Sequence, residues 1–377
     1  MDRAIVTAKA AYLRDVPDGT RILRLREGDV IDVKGGPPAW AEVLVDGAEG
    51  VVSRRSIAPI ADTAVPRGIA AARALVAIPP AATAADIKVV GTRVTGPGGV
   101  EFGKLFKLGL FNFGRTSLDT FFAEDPNAFP GLSPSIARVM RAVSANEGKI
   151  EAINTYDNAI LSCSIYQWTV SEATGAGELP YALSILKSRA PNTFATYFGS
   201  LGLDVTITAP KPFSVGRGYF SLNGAKLNTG TGKAPLRGHL WAYRFWRASH
   251  DPEVRRAYVR AAIDRIPVFY AAPVPALGNR TLAAFVSSEE AVAQLLDQHV
   301  NRPGHVPKTI VQAIADVIAS TGKSDPTSWG DAEERKVVAR YLALRLATSM
   351  TDSGKRADHI KDAVTAGQLS DKRSSYH

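Results

Sequence analysis

An Ala- and Pro-rich segment, residues 61–86, divides the chain into two parts that have to fold separately. Pro66 and the pair Pro79-Pro80 bracket a stretch, residues 69–76, that has the composition of one short helix. Proline has no backbone N–H to donate and fixes φ, so it interrupts regular structure on both sides of this stretch. The segment therefore predicts a semi-rigid spacer rather than part of a hydrophobic core.

The part before this spacer, residues 1–60, has the pattern of a small all-β domain. Short apolar runs are separated by turn dipeptides such as Asp18-Gly19 and Asp46-Gly47, and such spacing is typical of consecutive antiparallel strands. A small barrel is the expected fold. Its predicted core consists of apolar residues within these runs: Val6, Leu13, Ile22, Leu25, Val30, Ile31, Val33, Trp40, Val43, Val45, Val51 and Val52.

The part after the spacer, residues 87–350, predicts a mostly helical α+β domain, so the chain as a whole is expected to be multidomain. It begins with strand and hairpin patterns and continues into several amphipathic helices. Residues 351–377 are rich in Lys and Arg and predict a polar C-terminal tail that frays. An aromatic set at helical spacing is expected to lie in the core and not on a sugar-binding surface: Trp241, Phe245, Trp246 and Tyr258.

Two acidic residues near the middle of the chain have the arrangement of a catalytic pair. Apolar residues recur at helical intervals over residues 136–143, which predicts a helix that ends at Glu147, next to a glycine. A carboxyl group there can lean into a cleft whose apolar wall keeps it protonated, as a general acid requires. Asp157 follows ten residues later. From the residues alone, the alternatives are a solvated carboxylate for Glu147 and a turn-forming role before Asn158 for Asp157.

This order of residues resembles the lysozyme-like superfamily of glycosidases. Phage-type lysozymes have an acid-Gly pair like the one at Glu147, followed by an Asp. Family 46 chitosanases and lytic transglycosylases have a Ser-x-Gly-x-x-Gln segment, which Ser162, Ser164 and Gln167 match except that Ser164 stands where the family has Gly. The resemblance covers part of the chain. It implies cleavage of the β-1,4 glycan backbone of peptidoglycan by general acid catalysis from Glu147, with Asp157 as the second acid.

Six further side chains are predicted to bind the substrate: Tyr156, Ser162, Ser164, Gln167, Asn301 and Arg302. The last two belong to a loop after a predicted helix, where amide, guanidinium and imidazole groups come together. The alternative for this loop is a capped helical hairpin. Peptidoglycan and chitosan share a β-1,4 backbone, so the choice between them stays open, as does the choice between hydrolysis and transglycosylation.

The first domain resembles a second family, the bacterial SH3-type domains. The resemblance rests on Trp40 at the start of a strand, on the predicted hairpin at Asp46-Gly47 and on the apolar run after Gly50. It implies a domain that tethers a wall-active enzyme to peptidoglycan. A passive spacer is the alternative.

The charge of the chain agrees with a wall polymer as partner. There are 45 Lys and Arg against 36 Asp and Glu, a net charge of +9, which favours anionic partners such as wall polymers or nucleic acid. No nucleic-acid-binding or metal-binding motif accompanies this charge. We therefore expect peptidoglycan as the partner, with no nucleic acid, no metal and no cofactor, and we leave the oligomeric state open.

The expected location follows from segments that the sequence lacks. The chain begins Met-Asp-Arg without the basic and apolar regions of a Sec signal, and no apolar run approaches the roughly 18 residues of a membrane helix. Its single cysteine is compatible with a reducing cytoplasm. We expect synthesis in the cytoplasm and action at the cell wall after lysis, holin-type release or injection.

Two other functions fit parts of the same sequence. The turn Ser162-Cys163-Ser164 resembles the nucleophile turn of NlpC-type cell-wall peptidases, whose thiolate needs a neighbouring His. His239 is the nearest candidate in the chain, and the alternative for Cys163 is a small buried residue. A non-catalytic wall-binding protein would use the same cleft and basic surface, although the presence of Glu147 favours an enzyme.

Overall fold

A computed structural model describes residues 2–6, 11–19, 21–25, 30–45, 48–60 and 78–377 of the protein. The chain divides into two units, one formed by residues 1–80 with 250–252 and the other by residues 81–249 with 253–377. Helices and sheets are both present, so the predicted mixture of α and β is confirmed. Much of the predicted spacer, including its short helix, lies outside the described residues.

Antiparallel strands form the first unit. They are β1 (Asp2–Val6), β2 (Ala11–Arg14), β3 (Arg21–Leu25), β4 (Val30–Gly35), β5 (Trp40–Val45), β6 (Ala48–Ser53) and β7 (Ile57–Ile60). Their order in the sheet is β3-β2-β6-β5-β4-β1-β7. A 3₁₀ turn, Arg54–Ser56, connects β6 to β7.

Alternating side chains of these strands build one core. In β2, Ala11 and Leu13 are buried while their neighbours are half-buried, which is the period of two expected for a strand with one covered face. The predicted core residues found buried are Val6, Leu13, Leu25, Ile31, Val43, Val51 and Val52. Val33 and Trp40 are half-buried, and the side chains of Ile22, Val30 and Val45 lie outside the description. The bacterial SH3-type assignment stays a prediction.

An antiparallel meander begins the second unit. Its strands are β8 (Lys88–Val90), β9 (Arg93–Thr95), β10 (Glu101–Phe106), β11 (Gly109–Asn112), β12 (Ile153–Asn154), β13 (Ser162–Cys163) and β14 (Trp168–Thr169). Each strand pairs with the next one along the chain. The register places five buried residues on one face of this sheet: Val94, Leu110, Ile153, Cys163 and Trp168.

The rest of the second unit is mainly helical. Two small sheets contain β15 (Leu203–Ile207), β16 (Gly218–Leu222) and β17 (Ala225–Lys226), and β18 (Pro273–Val274) with β19 (Arg280–Thr281). The helices are α1 (Leu118–Glu124), α2 (Pro134–Ser144), α3 (Leu179–Arg189), α4 (Pro191–Tyr197), α5 (Gly230–Lys233), α6 (His239–Ala248), α7 (Pro252–Tyr270), α8 (Glu289–Asn301), α9 (Val306–Thr321), α10 (Asp331–Leu346) and α11 (Ser353–Thr365).

The aromatic set of α6 and α7 is buried, as the helical spacing predicts: Trp241, Phe245, Trp246 and Tyr258. None of the described helices combines the length and the apolar surface needed to cross a membrane.

Helix α2 forms where the apolar spacing predicts it. Ser133 caps its N-terminus by accepting a hydrogen bond from the backbone N–H of Ile136, at 3.2 Å. Its apolar face over residues 139–143 is buried against neighbouring elements, with α8 packed alongside. The predicted end of the helix was wrong by three residues, because α2 ends at Ser144 and leaves Glu147 in the turn that follows.

The predicted polar tail, residues 351–377, is instead a folded part of the second unit. Helix α11 buries apolar side chains at helical spacing: Ala357, Ile360 and Ala363. Beyond it, Arg373 pairs with the buried Glu334, Nη1 to Oε2 2.8 Å, and the N–H of Tyr376 donates to Ser287 O at 2.9 Å. The frayed tail was therefore a wrong prediction, since the composition of this segment is polar but specific partners hold it.

Deletion of residues 351–377 should destabilise the second unit strongly. The deletion removes Arg356 and Arg373 from buried carboxylates that are at most 1% exposed. Removal of one partner from a buried ion pair costs about 3–5 kcal/mol, and urea denaturation should show a loss of at least this size. The control is Lys355→Gln, an exposed position in the same helix, for which we expect a change within about 0.5 kcal/mol. An unchanged unfolding midpoint after the deletion would restore the tail interpretation.

Candidate active site

The turn after α2 places Glu147 against the β13–β14 hairpin. The N–H groups of Glu147 and Gly148 both donate to Ser144 O, at 3.1 and 3.2 Å. Gly148 has φ of +156°, and a Cβ at this position would lie 3.0 Å from both Ala152 Cβ and Gln167 Nε2. A side chain there would be strained and crowded. Glycine therefore allows the turn that carries Glu147 to approach Gln167 closely.

The two oxygens of the Glu147 carboxyl group have different surroundings. Oε1 accepts hydrogen bonds from Asn301 Nδ2, at 2.7 Å, and from Arg356 Nη2. Oε2 has no hydrogen-bond partner among the described residues. The side chain retains 10% of its exposure, so Oε2 is neither bound nor fully enclosed. One oxygen is held in place while the other is free to meet a ligand.

A buried ionic cluster surrounds the held oxygen. We define the ionic cluster as Glu147, Asp297, Arg345 and Arg356. The guanidinium of Arg356 contacts Glu147 and also Asp297, with Nη2 to Oδ1 2.6 Å, while Arg345 Nη2 lies 2.5 Å from Asp297 Oδ2. Asp297 is fully buried and Arg345 is 1% exposed. Arg356 is thus shared by both carboxyl groups, whereas Arg345 contacts Asp297 alone, and the pairing of Asp297 with the two guanidinium groups offsets the cost of burying its charge.

Burial raises the pKa of the Glu147 carboxyl above its ordinary value. The positive charge of Arg356 opposes this shift, the negative charge of Asp297 reinforces it, and the hydrogen bond from Asn301 opposes it. Desolvation penalises the ionised form more than the single shared guanidinium favours it. The group consequently holds its proton to a higher pH than an exposed glutamate.

Glu151, four residues further on, has the opposite behaviour. Its Oε2 accepts from the N–H groups of Arg115 and Thr116, at 3.0 and 2.8 Å, and its Oε1 accepts from Arg255 Nη2 at 2.7 Å. Burial alone would raise the pKa of this carboxyl, but the hydrogen bonds from Thr116 and the charge of Arg255 outweigh it and the pKa is lowered. Both oxygens are occupied, so Glu151 is a structural anchor for the segment after β11.

Asp157 is occupied by the turn in which it lies. Its Oδ2 accepts from Asn154 Nδ2 and its Oδ1 accepts from the N–H of Ala159, both at 2.9 Å. This is the turn-forming role that the sequence left as an alternative. Asp157 and Glu147 share no hydrogen-bond partner among the described residues, so the structure does not bring the two predicted acids together through a common group.

Three predicted substrate contacts shape the hairpin turn instead. Ser162 and Ser164 are 2% and 0% exposed, and Gln167 Nε2 donates to Ser164 O at 3.2 Å. Ser164 has φ of +69°, a left-handed conformation that favours glycine, which gives a physical reason for Gly at this place in the resembling family. The predicted contacts of Ser162 and Ser164 with substrate are therefore corrected to a structural role. Gln167 is half-buried beside Gly148.

The remaining predicted contacts separate into three cases. Asn301 joins the site through its bond to Glu147. Arg302 is exposed, its backbone N–H donates to Gln298 O at the C-terminus of α8, and its Nη2 donates to Ser349 O at 3.3 Å. Tyr156 is half-buried within an aromatic group on the sheet.

Cys163 has the environment of a core residue. Its side chain is fully buried in β13, and its Sγ donates to Tyr258 Oη at 3.5 Å. Burial raises the pKa of the thiol to about 12, whereas a nucleophilic cysteine needs a lowered pKa and access to substrate. No hydrogen bond links Cys163 to His239 in the described part of the chain, so the geometry gives the peptidase alternative no support.

Sequence reasoning missed most of the ionic cluster and the anchor at Glu151. Asp297 was detectable in principle, because it lies on the apolar helix α8 between positions that are buried. Arg356 gave no signal, since it stands in a charged run and its partner Glu147 is 209 residues away. In the described residues, no group of three His, Cys, Asp or Glu side chains is arranged to hold a metal ion.

A scan against protein-family models and a search of curated proteins both found no match for this chain.

Replacement of Glu151 by Gln should destabilise the protein in a pH-dependent manner. The variant loses the ionised acceptor of three hydrogen bonds, and bonds to charged groups contribute about 1.5–3 kcal/mol each, so we expect a loss of about 2 kcal/mol at pH 7. A carboxyl whose folded pKa is lowered stabilises above its unfolded pKa and loses this contribution as the pH falls through the folded pKa. Denaturant titrations at pH 7 and pH 3 should therefore show a smaller difference at pH 3. A difference independent of pH would contradict this assignment.

Proposed function

We propose that this protein is a glycoside hydrolase that cleaves the β-1,4 glycan backbone of peptidoglycan, with Glu147 as the general acid. The observation that carries the proposal is the state of its carboxyl group, which has a pKa raised by burial and one oxygen, Oε2, without a partner among the described residues. A general acid needs both properties, since it must keep a proton near neutral pH and must reach the leaving oxygen.

The proposed reaction begins with proton donation from Glu147 Oε2 to the oxygen that bridges two amino sugars. The bond from the anomeric carbon to this oxygen breaks with its electron pair, and positive charge develops on the sugar ring. Glu147 becomes a carboxylate in this step. Asn301 and Arg356 already contact Oε1, so they stabilise the carboxylate as it forms without moving.

Asp157 is the proposed second acid. Its two oxygens each accept one hydrogen bond, and a carboxylate has about four acceptor positions in all. A water molecule or the charged sugar can therefore still bind to it. In this role the bonds from Asn154 and Ala159 orient the carboxylate.

The proposed setting is the bacterial cell wall. The net charge of +9 favours an anionic polymer, and the resemblance of the first domain to bacterial SH3-type domains supports tethering to the wall. Release from the cytoplasm by lysis, a holin-type pore or injection completes this proposal. Wall binding without catalysis is the outcome that remains if Glu147 proves dispensable.

Glu147→Gln should lower turnover by orders of magnitude and leave the protein folded. Glutamine keeps the shape of the side chain but has no proton to donate, and general acid catalysis contributes about 10²–10⁴-fold to the rate. The assay is mass spectrometry of the soluble products from purified sacculi, because reducing ends, anhydro ends and freed stem peptides distinguish hydrolysis, transglycosylation and peptide cleavage. The matched control is Glu151→Gln, which should retain turnover per folded molecule. Sugar release by Glu147→Gln at the native rate would reject the glycosidase.

Arg356→Gln should move the basic limb of the pH–rate profile to higher pH. Activity falls as the pH rises through the pKa of the general acid, and the positive charge of Arg356 lowers the pKa of Glu147. Its removal therefore raises this pKa and extends activity upward. Arg356→Lys keeps the charge and should leave the limb near its native position. A limb that stays in place in Arg356→Gln, or that moves to lower pH, would show that another group controls the profile.

A further inference from the structure

The exposed apolar side chains of the described residues are concentrated in one part of the second unit. Seven of the ten large apolar residues that are exposed lie between positions 89 and 113: Val89, Val90, Val100, Phe106, Leu108, Phe111 and Phe113. Contiguous exposed apolar surface of this kind marks a binding site more often than chance exposure does. The strands β8 to β11 therefore carry a surface that neither the general acid nor the core uses.

The strand register places three of these side chains, Val90, Phe106 and Phe111, on one face, whereas Val89 lies on the other. Residues directly opposite each other in an antiparallel pair point to the same side of the sheet, and the pairs are Val90 with Arg93, Arg93 with Lys104, Lys104 with Phe111, and Phe111 with Asn154. This row runs across five strands. The other face carries the buried residues of the sheet, so the row faces solvent.

Three aromatic residues form a connected group on this side of the sheet, which we call the aromatic platform: Phe106, Phe111 and Tyr156. The ring of Phe106 packs edge-to-face on Tyr156 with centroids 4.8 Å apart, and Phe111 lies 6.4 Å from both rings. Phe106 and Phe111 are 45% and 40% exposed. Edge-to-face packing fixes the rings relative to each other, so a ligand meets a surface that is already ordered.

Short chain segments link the aromatic platform to the turn of the general acid. The backbone carbonyl of Phe113, two residues after Phe111, accepts from the N–H of Lys149 at 3.0 Å, and Lys149 is two residues from Glu147. Tyr156 precedes Asp157, the proposed second acid. The turns that carry the two proposed acids are thus connected to the platform by short chain segments and one backbone hydrogen bond.

Two lysine side chains lie beside the platform. Lys107 Nζ lies 5.3 Å from the centre of the Phe106 ring, and Lys104 is exposed in the same row. Neither lysine has an acidic partner among the described residues, whereas Arg93 is paired with Glu101 at 2.7 Å. Unpaired cations beside exposed rings complement a ligand that has apolar C–H faces and negative charge.

We propose that the aromatic platform binds an anionic amino-sugar polymer and directs it to Glu147, so that a carboxylate-bearing glycan is the substrate class and a chitosan-like polycation is not. This inference rests on the proposed function. The apolar faces of the pyranose rings lie on the exposed aromatic rings, and the carboxylates of the polymer pair with Lys104 and Lys107. A polycation would meet the same lysines with like charge.

The test separates binding from cleavage by use of the Glu147→Gln protein throughout. The probes are soluble glycan strands freed of stem peptides, which keep their lactyl carboxylates, and chitosan oligomers of the same length. We expect the parent protein to bind the anionic strands. The combined Phe106→Ala and Phe111→Ala variant should lose roughly tenfold or more in affinity. Lys104→Gln should weaken binding and make it less sensitive to salt. The matched control is Ile207→Ala, which removes a side chain of 40% exposure from another sheet and should not change binding.

Other outcomes overturn the inference in distinguishable ways. Equal binding of anionic strands by the platform variant and its parent would reject the platform while leaving the role of Glu147 intact. Preference for chitosan oligomers would reject the substrate class. If sedimentation velocity shows that the alanine substitutions turn a dimer into a monomer while glycan binding is unchanged, the surface is a contact between two copies of this chain. Failure of the proposed general acid would be seen in the separate cleavage assay, as sugar release by the Glu147→Gln protein. The result of the binding assay does not depend on that outcome.

Discussion

The burial of the ionic cluster is the interaction on which the second unit and its proposed chemistry both depend. Four ionisable side chains from the turn after α2, from α8, from α10 and from α11 meet in a volume where Asp297 is fully buried. The charge of Asp297 is tolerated there because Arg345 and Arg356 pair with it. The cluster therefore ties distant segments together, and it also sets the electrostatic surroundings of Glu147.

Two glutamates that are close in the sequence, Glu147 and Glu151, have pKa values shifted in opposite directions. Glu151 has both oxygens occupied by backbone N–H groups and a guanidinium, and these fix it as an ionised anchor. Glu147 shares a guanidinium with Asp297, and its second oxygen has no partner in the described residues. Environment rather than residue type separates an anchor from a candidate acid, as it does for paired carboxylates in glycosidases generally.

Local patterns predicted what depends on local spacing. The apolar period before Glu147 predicted α2, and the aromatic spacing at Trp241 predicted a buried helix face, because burial of one helix face is a property of neighbouring residues. The end of α2 was missed by three residues since the turn that follows depends on Gly148 and Gln167, which meet only in the folded chain.

Long-range pairing was beyond the reach of the sequence. Helix α11 has only three buried apolar side chains, two of them alanines, within a run that reads as a solvated segment, and its attachment depends on Arg356 finding Asp297 and Glu147. The role of Ser162 was also misassigned, because polar residues next to a candidate acid suggest substrate contacts whether they line a cleft or stabilise a turn. The register of β8 to β11, which places Phe106, Phe111 and Lys104 on one face, likewise appears only when the strands are paired.

Burial outweighs the positive charge of Arg356 and raises the pKa of the Glu147 carboxyl above the ordinary value of glutamate. The direct measurement is a titration of ¹³C-labelled glutamate carboxyl groups by NMR, with the resonances assigned by comparison with the Glu147→Gln and Glu151→Gln proteins. We expect the pKa of Glu147 to lie above the ordinary value of a glutamate and that of Glu151 to lie below it. A Glu147 resonance with a pKa below the ordinary value would contradict the proposed general acid, because the group would then be an ion-paired carboxylate.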